Sequence, residues 1–90
     1  MQRRTYHFGG RVQGVGFRYT AQHLARDYPA VKGYVCNLPD GRVELVVEGE
    51  EKDMDTLVDS LKREMGRYIQ RVDVSTHKAT GEFAGFSIRA

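Results

Sequence analysis

The spacing of apolar side chains switches between a helical and an extended period several times along this chain, and the order of the switches restricts the fold more than any other feature. Two segments have the spacing of three and four residues that is typical of amphipathic helices. The first begins at about Phe17 and is ended by Pro29, and its apolar face is Phe17, Ala21, Leu24, Ala25 and Tyr28. The second covers residues 50–65, and its apolar stripe is Met54, Leu57, Val58, Leu61 and Met65.

The other segments are typical of strands, because they carry β-branched and aromatic residues or alternate between apolar and polar side chains. The predicted strands are 3–10, 31–37, 42–48 and 69–77, with a short terminal strand at 83–89. In the third strand Val43, Leu45 and Val47 lie on one face, and Glu44 and Glu48 lie on the other, which is expected to face solvent. In the fourth strand the apolar positions are Ile69, Val72 and Val74. The sequence Leu38-Pro39-Asp40-Gly41 predicts a turn that joins the second and third strands as a hairpin.

The resulting order, β-α-β-β-α-β with a short terminal strand, predicts a ferredoxin-like α+β fold. In this fold two helices cover one face of an antiparallel sheet, and that arrangement would bury every apolar stripe of the chain. Ninety residues are expected to form one domain, residues 1–90. The fold itself does not indicate a function, because it supports many unrelated ones.

The composition narrows the class of protein. Fourteen basic and twelve acidic residues give a formal charge of +2, and the basic residues form no long cluster, so a small anionic ligand is favoured over a nucleic acid. No apolar run approaches the roughly 18 residues that a membrane span needs, and no apolar region follows the basic N-terminal residues, so neither a membrane span nor a secretory signal is expected. A single cysteine excludes an internal disulfide and any site with several cysteine ligands. We expect a cytoplasmic monomer.

The most informative segment is Gly10-Arg11-Val12-Gln13-Gly14-Val15-Gly16-Phe17-Arg18, which lies between the first strand and the first helix. Glycines let backbone N–H groups converge on an anion, and a helix N-terminus adds unpaired N–H groups and a partial positive charge. Arg18 would add a guanidinium whose planar donors fit phosphate oxygens. The segment lacks the ending of a Walker A loop and the full dinucleotide fingerprint. From these residues alone, a tight turn whose glycines only relieve backbone strain remains equally open.

This segment resembles the first signature of the acylphosphatase family. The segment Gly33-Tyr34-Val35-Cys36-Asn37-Leu38-Pro39-Asp40-Gly41-Arg42-Val43 is similar to the second signature, and the resemblance extends over nearly the whole chain. It implies that Arg18 binds phosphate, that Asn37 positions the attacking water, and that the backbone amides of Gln13, Gly14, Val15, Gly16 and Phe17 form the phosphate cradle. It also implies a small-molecule acyl phosphate as substrate, with no metal and no cofactor.

The sequence departs from the family pattern at three places, none of them a catalytic position. Tyr34 stands where the family usually has tryptophan, and Cys36 is at a variable position. The sequence Gly66-Arg67-Tyr68 replaces a stretch that commonly contains proline, which is expected to alter the rim of the site and the preferred acyl group.

The histidines and the cysteine favour ordinary structural roles. His7, His23 and His77 are far apart in the sequence and have no metal-ligand spacing. Cys36 has no evident histidine partner, so we expect it to pack rather than to act as a nucleophile.

Two alternative functions remain open at this point. One is a phosphate- or anion-binding module without catalysis. The other is a ferredoxin-like nucleic-acid binder that stacks bases on Tyr6 and Tyr34, although no motif of that class is present.

Overall fold

Five strands and two helices follow one another in the predicted order. The computed structural model describes residues 1–90. The elements are β1 (Gln2–Gly10), α1 (Phe17–Ala25), β2 (Lys32–Asn37), β3 (Val43–Gly49), α2 (Glu51–Met65), β4 (Ile69–Lys78) and β5 (Phe86–Arg89), and a single 3₁₀ turn (Gly66–Tyr68) joins α2 to β4. No helix is long and apolar enough to cross a membrane.

The strands form one sheet in the order β4-β1-β3-β2-β5. The first four strands pair antiparallel, as the ferredoxin-like prediction requires, with the β2–β3 hairpin near the middle of the sheet. The terminal strand differs from its neighbours, because β5 pairs parallel to β2 and makes the sheet mixed. Its direction follows from the connection over residues 79–85, called the strap below, which runs from β4 at one edge to β5 at the other.

Both helices bury the apolar faces predicted for them. The five stripe residues of α2 are all buried, with Leu61 and Met54 fully inaccessible. Helix α1 ends at Ala25, earlier than predicted, because the N–H groups of residues 26–28 bond three residues back and tighten the chain into turns before Pro29. Leu24 and Tyr28 are still packed against the core, although they are only partly buried.

The prediction that one face of β3 lies in solvent is wrong, because the strap covers part of it. Glu48 is only 6% exposed and Val46 only 4%. The backbone N–H groups of Thr80 and Gly81 donate to the Glu48 carboxylate at 2.8 and 2.9 Å. The edge strand β4 departs from prediction in the opposite direction: Ile69 and Val72 are partly buried, but Val74 is 57% exposed.

Candidate active site

The glycine-rich loop between β1 and α1 depends on two left-handed glycines. Gly14 has φ 75° and Gly16, which precedes the helix, has φ 83°. A Cβ atom would meet nothing within 4 Å at either position, so these glycines are required by the backbone conformation and not by crowding. Fully buried Val12 anchors the loop in the core, and the Arg11 N–H donates to the Tyr68 carbonyl at 2.9 Å.

The loop contains a run of unpaired backbone donors. The N–H groups of residues 12–16 donate to no acceptor in the protein, and the first N–H groups of α1 have no partner within a helix by its geometry. Such consecutive donors at a helix start favour an anion, because the helix dipole adds a partial positive charge there. The arrangement therefore provides the chemistry of a phosphate cradle.

Arg18 lies in the first turn of α1 and is partly buried. Its guanidinium makes no ion pair and no hydrogen bond within the protein, unlike those of Arg3, Arg4, Arg42 and Arg71, and among the arginines without an ion pair it is the one that follows the run of unpaired loop amides. Arg18 is thus a partly buried cation beside a row of unpaired amides, with all its donors available to a ligand.

Asn37 is the last residue of β2, where it pairs with Val43 of β3. Immediately after it, the Leu38 N–H donates to the Arg42 carbonyl at 2.8 Å and closes the hairpin turn. Its carboxamide, like the Arg18 guanidinium, has no hydrogen-bond partner within the protein, so both side chains are free to bind a ligand or water.

A cavity of about 200 Å³ brings these groups together. It is lined by Val12, Gly14, Gly16, Phe17, Arg18, Tyr19 and Asn37. Arg18, Asn37 and three of the five expected cradle residues therefore meet in one place. No histidine, carboxylate or thiol lines this cavity.

The other two expected cradle residues, Gln13 and Val15, do not line the cavity. The Gln13 side chain turns to the hairpin, where it binds backbone carbonyls, and Val15 packs against the core. The 66–68 turn does not line the cavity either, so its expected effect on the rim is not supported. It instead holds the start of the loop through the Tyr68 carbonyl.

The sequence reasoning missed Tyr19, which follows Arg18 and lines the same cavity with its side chain 75% exposed. Its position outside the apolar face of α1 was the available signal. A larger and more open groove of about 440 Å³ adjoins Tyr19 along α1 and α2. It contains neither the loop glycines nor Asn37, so we place the site in the smaller cavity.

A polar cluster lies on the sheet face that carries the strap. The Glu44 carboxylate is 2.8 Å from His7 Nε2 and accepts a hydrogen bond of 2.8 Å from the Tyr34 hydroxyl. Burial opposes ionisation of Glu44, but the hydrogen bonds from His7 and Tyr34 outweigh it, and the pKa of the carboxyl is lowered. Burial, with the Glu44 charge in addition, raises the pKa of Tyr34 to about 12.

Cys36 is buried, and it packs as expected. Burial is the main cause that raises the pKa of its thiol, followed by the nearby Glu44 charge, so the reactive thiolate is disfavoured. No group of three or more histidine, cysteine, aspartate or glutamate side chains is placed to hold a metal ion.

Comparison with known proteins gives a consistent result. The family model named Acylphosphatase matches residues 4–88. The acylphosphatase of Roseiflexus sp. (strain RS-1) is 44% identical over 89 residues, which are 98% of this chain and 95% of the relative. The acylphosphatase of Paenarthrobacter aurescens (strain TC1) is 47% identical over 88 residues, 96% of this chain and 92% of the relative. The crystal structure of acylphosphatase from Bacillus subtilis superposes with a TM-score of 0.86 at 33% identity and covers 100% of both chains.

Proposed function

The chain belongs to the acylphosphatase family and hydrolyses the carboxyl–phosphate bond of acyl phosphates to a carboxylate and inorganic phosphate, and from this premise we propose that Arg18, Asn37 and the amides of residues 13–17 perform the reaction. The single observation that carries the proposal is the cavity shared by Arg18, Asn37 and the glycines of the loop. The two functional side chains are free of partners in the protein, which supports a role for both toward a ligand.

The loop and Arg18 bind the phosphoryl group. The loop amides donate to the phosphoryl oxygens, and the Arg18 guanidinium adds a fixed positive charge and two parallel donors. Preorganised donors of this kind stabilise the charge that develops in phosphoryl transfer, and elsewhere one such donor contributes about 2.7–4 kcal/mol.

Asn37 holds the attacking water. Its carboxamide is carried at a strand end that the hairpin turn closes, so it is held in place while it hydrogen-bonds the water in line with the bond that breaks. An amide is not a base, and no histidine or carboxylate lines the cavity. We therefore assign the proton of the water to a phosphoryl oxygen of the substrate.

The leaving group explains why so few residues suffice. The departing carboxylate is the conjugate base of an acid with a pKa near 4, by analogy with aspartic and glutamic acids, so it leaves without protonation. An alkyl phosphate would release a much more basic alkoxide and would need an acid or a metal. The proposal is therefore a reaction that requires neither a metal nor a cofactor.

The test is hydrolysis of benzoyl phosphate with a chelator present, together with calorimetric binding of inorganic phosphate. We expect the native protein to be active. Arg18→Ala should lose at least about 10³-fold in kcat/KM, by analogy with other arginines that act in phosphoryl transfer. Asn37→Ala should bind inorganic phosphate but show no turnover. Arg26→Ala, an exposed arginine at the far end of the same helix, is the matched control and stays near native.

Four results would contradict this proposal. The role of Arg18 is ruled out by near-normal turnover of a folded Arg18→Ala protein. The role of Asn37 is ruled out if its folded variant still turns over substrate at a near-native rate. If the native protein binds phosphate without hydrolysing benzoyl phosphate, it is a non-catalytic binding module. If activity is lost when the chelator is present, the reaction depends on a metal ion.

We further propose that residues 1–90 act as one domain, as a cytoplasmic monomer that binds neither nucleic acid nor membrane. The contacts of the aromatic residues support the absence of nucleic-acid binding. Tyr6 is 5% exposed beneath the helices, and Tyr34 is covered by the Phe83 ring at 5.9 Å and the Arg89 guanidinium at 4.0 Å, so neither is free to stack a base. Sedimentation velocity tests the monomeric state. Salt-dependent binding of an oligonucleotide would contradict the proposed absence of nucleic-acid binding.

A further inference from the structure

The Gln13 side chain connects the glycine-rich loop to the hairpin that carries Asn37. Its Nε2 donates one hydrogen bond to the Leu38 carbonyl at 2.8 Å and another to the Arg42 carbonyl at 3.0 Å. Both N–H bonds of the carboxamide are used, and they are the only side-chain hydrogen bonds between the loop and this hairpin.

The two carbonyls lie where the hairpin turn joins β2 and β3. The Arg42 carbonyl also accepts from the Leu38 N–H, and the Leu38 carbonyl also accepts from the Gly41 N–H at 3.1 Å. Leu38 follows Asn37 directly, and Arg42 precedes Val43, the strand partner of Asn37. Gln13 is therefore bonded to the backbone next to both members of the Asn37–Val43 pair.

At its other end, Gln13 lies within the run of unpaired loop amides. The residue before it, Val12, is fully buried and anchors the loop backbone in the core at this point. A displacement of the Gln13 side chain would change the separation between the loop amides and the Asn37 carboxamide.

We propose that Gln13 is a positioning residue that sets the distance between the bound phosphoryl group and the water held by Asn37. This inference rests on the proposed roles of the loop and of Asn37. Gln13 does not line the cavity, so its side chain acts through the hairpin and not on the substrate. A misplacement of about 1 Å between reacting groups lowers turnover by up to roughly 10²-fold.

Two substitutions remove the hydrogen bonds in different ways. Gln13→Glu keeps the shape but turns carboxylate oxygens toward two carbonyl oxygens. Gln13→Met keeps the length and adds no charge. We expect both to lower kcat for benzoyl phosphate by about 10- to 100-fold, while the dissociation constant of inorganic phosphate stays within about threefold, because the loop amides and Arg18 are retained.

The matched control is Gln22→Glu, which adds the same charge in α1 at a side chain without a hydrogen bond and is expected to stay near native. Folding is checked by circular dichroism and thermal unfolding. A purely structural role would lower the unfolding temperature and leave kcat of the folded protein unchanged, and that result overturns the proposal, as does failure of both variants to fold. The proposal is also overturned if Gln13→Met is fully active while Asn37→Ala is inactive. If Asn37→Ala is itself active, it is the proposed role of Asn37 that fails.

Discussion

The Glu48 carboxylate holds the strap on the sheet, and its removal should be measurable as a loss of stability that depends on pH. Its Oε2 accepts from Arg3 Nε at 2.7 Å and from the Thr80 N–H at 2.8 Å, and its Oε1 accepts from the Gly81 N–H at 2.9 Å. Burial alone would raise the pKa of Glu48, but these hydrogen bonds outweigh it and lower the pKa to about 2. The folded protein therefore favours the ionised form.

The size of the effect follows from the lowered pKa. An ordinary glutamate has a pKa near 4.3, and a difference of about two units corresponds to about 3 kcal/mol of stability at neutral pH. Glu48→Gln keeps the volume but places an amide NH₂ among donors. We expect it to lower the free energy of unfolding by about 2–3 kcal/mol at pH 6, equivalent to a fall in Tm of roughly 10–20 °C for a chain of this size.

The sign of the pH dependence is fixed by the direction of the pKa change. Because the pKa is lower in the folded state, the stabilisation is fully present above the unfolded-state pKa and is lost as the pH falls from about 4.5 to about 2. The difference between native and Glu48→Gln protein in urea unfolding should be full at pH 6 and nearly absent at pH 2. Glu64→Gln, at an exposed and unpaired glutamate, is the control. A difference below about 0.5 kcal/mol at pH 6, or one that stays constant down to pH 2, would refute the reasoning.

Three further substitutions address substrate preference and backbone strain. Tyr19→Ala should lower kcat/KM for benzoyl phosphate by roughly five- to tenfold, which corresponds to about 1–1.5 kcal/mol of contact between the two rings. The kcat/KM for acetyl phosphate, which has no ring, should change less than about twofold. An equal loss for both substrates would contradict contact between Tyr19 and the acyl group. Gly33→Ala should cost at least about 3 kcal/mol in urea unfolding, because Gly33 has φ 151° and a Cβ would lie 1.8 Å from the Val46 carbonyl oxygen. Gly16→Ala, where the space is open, should cost only about 1 kcal/mol, and similar losses for the two variants would show that crowding is not the cause.

The sequence was sufficient to predict those elements in which the spacing of the apolar residues shows which face is buried. The α2 stripe is the clearest case, since every residue of the predicted face is buried. The prediction failed for β3 because alternation shows which residues share a face but not what covers it. Glu48 is covered by Thr80 and Gly81, which lie 32 and 33 positions further along the chain, and no local sequence pattern indicates that contact.

The same limit applies to the candidate site. Arg18 and Asn37 could be named because each lies in a recognisable motif, and both line the cavity. Gln13 was expected to contribute only its backbone amide, since its side-chain partners are carbonyls 25 and 29 residues away. Backbone carbonyls are present at every position, so a sequence cannot indicate which of them a side chain binds.

The position of β1 between β3 and β4 also governs how the molecule is assembled. Gln2 pairs with Gly49 on one side and with Lys78 on the other, so the first strand joins parts of the chain that are far apart in sequence. Only the β2–β3 hairpin can form from residues that are close in sequence. The other strand pairs close long loops, so chain entropy must be lost before their contacts form. Such a topology is expected to fold more slowly than a helical bundle of equal length. Because the Arg11 N–H donates to the Tyr68 carbonyl just before β4, the loop that follows β1 is expected to acquire its shape only after that strand is enclosed on both sides, so catalytic competence should be gained late in folding.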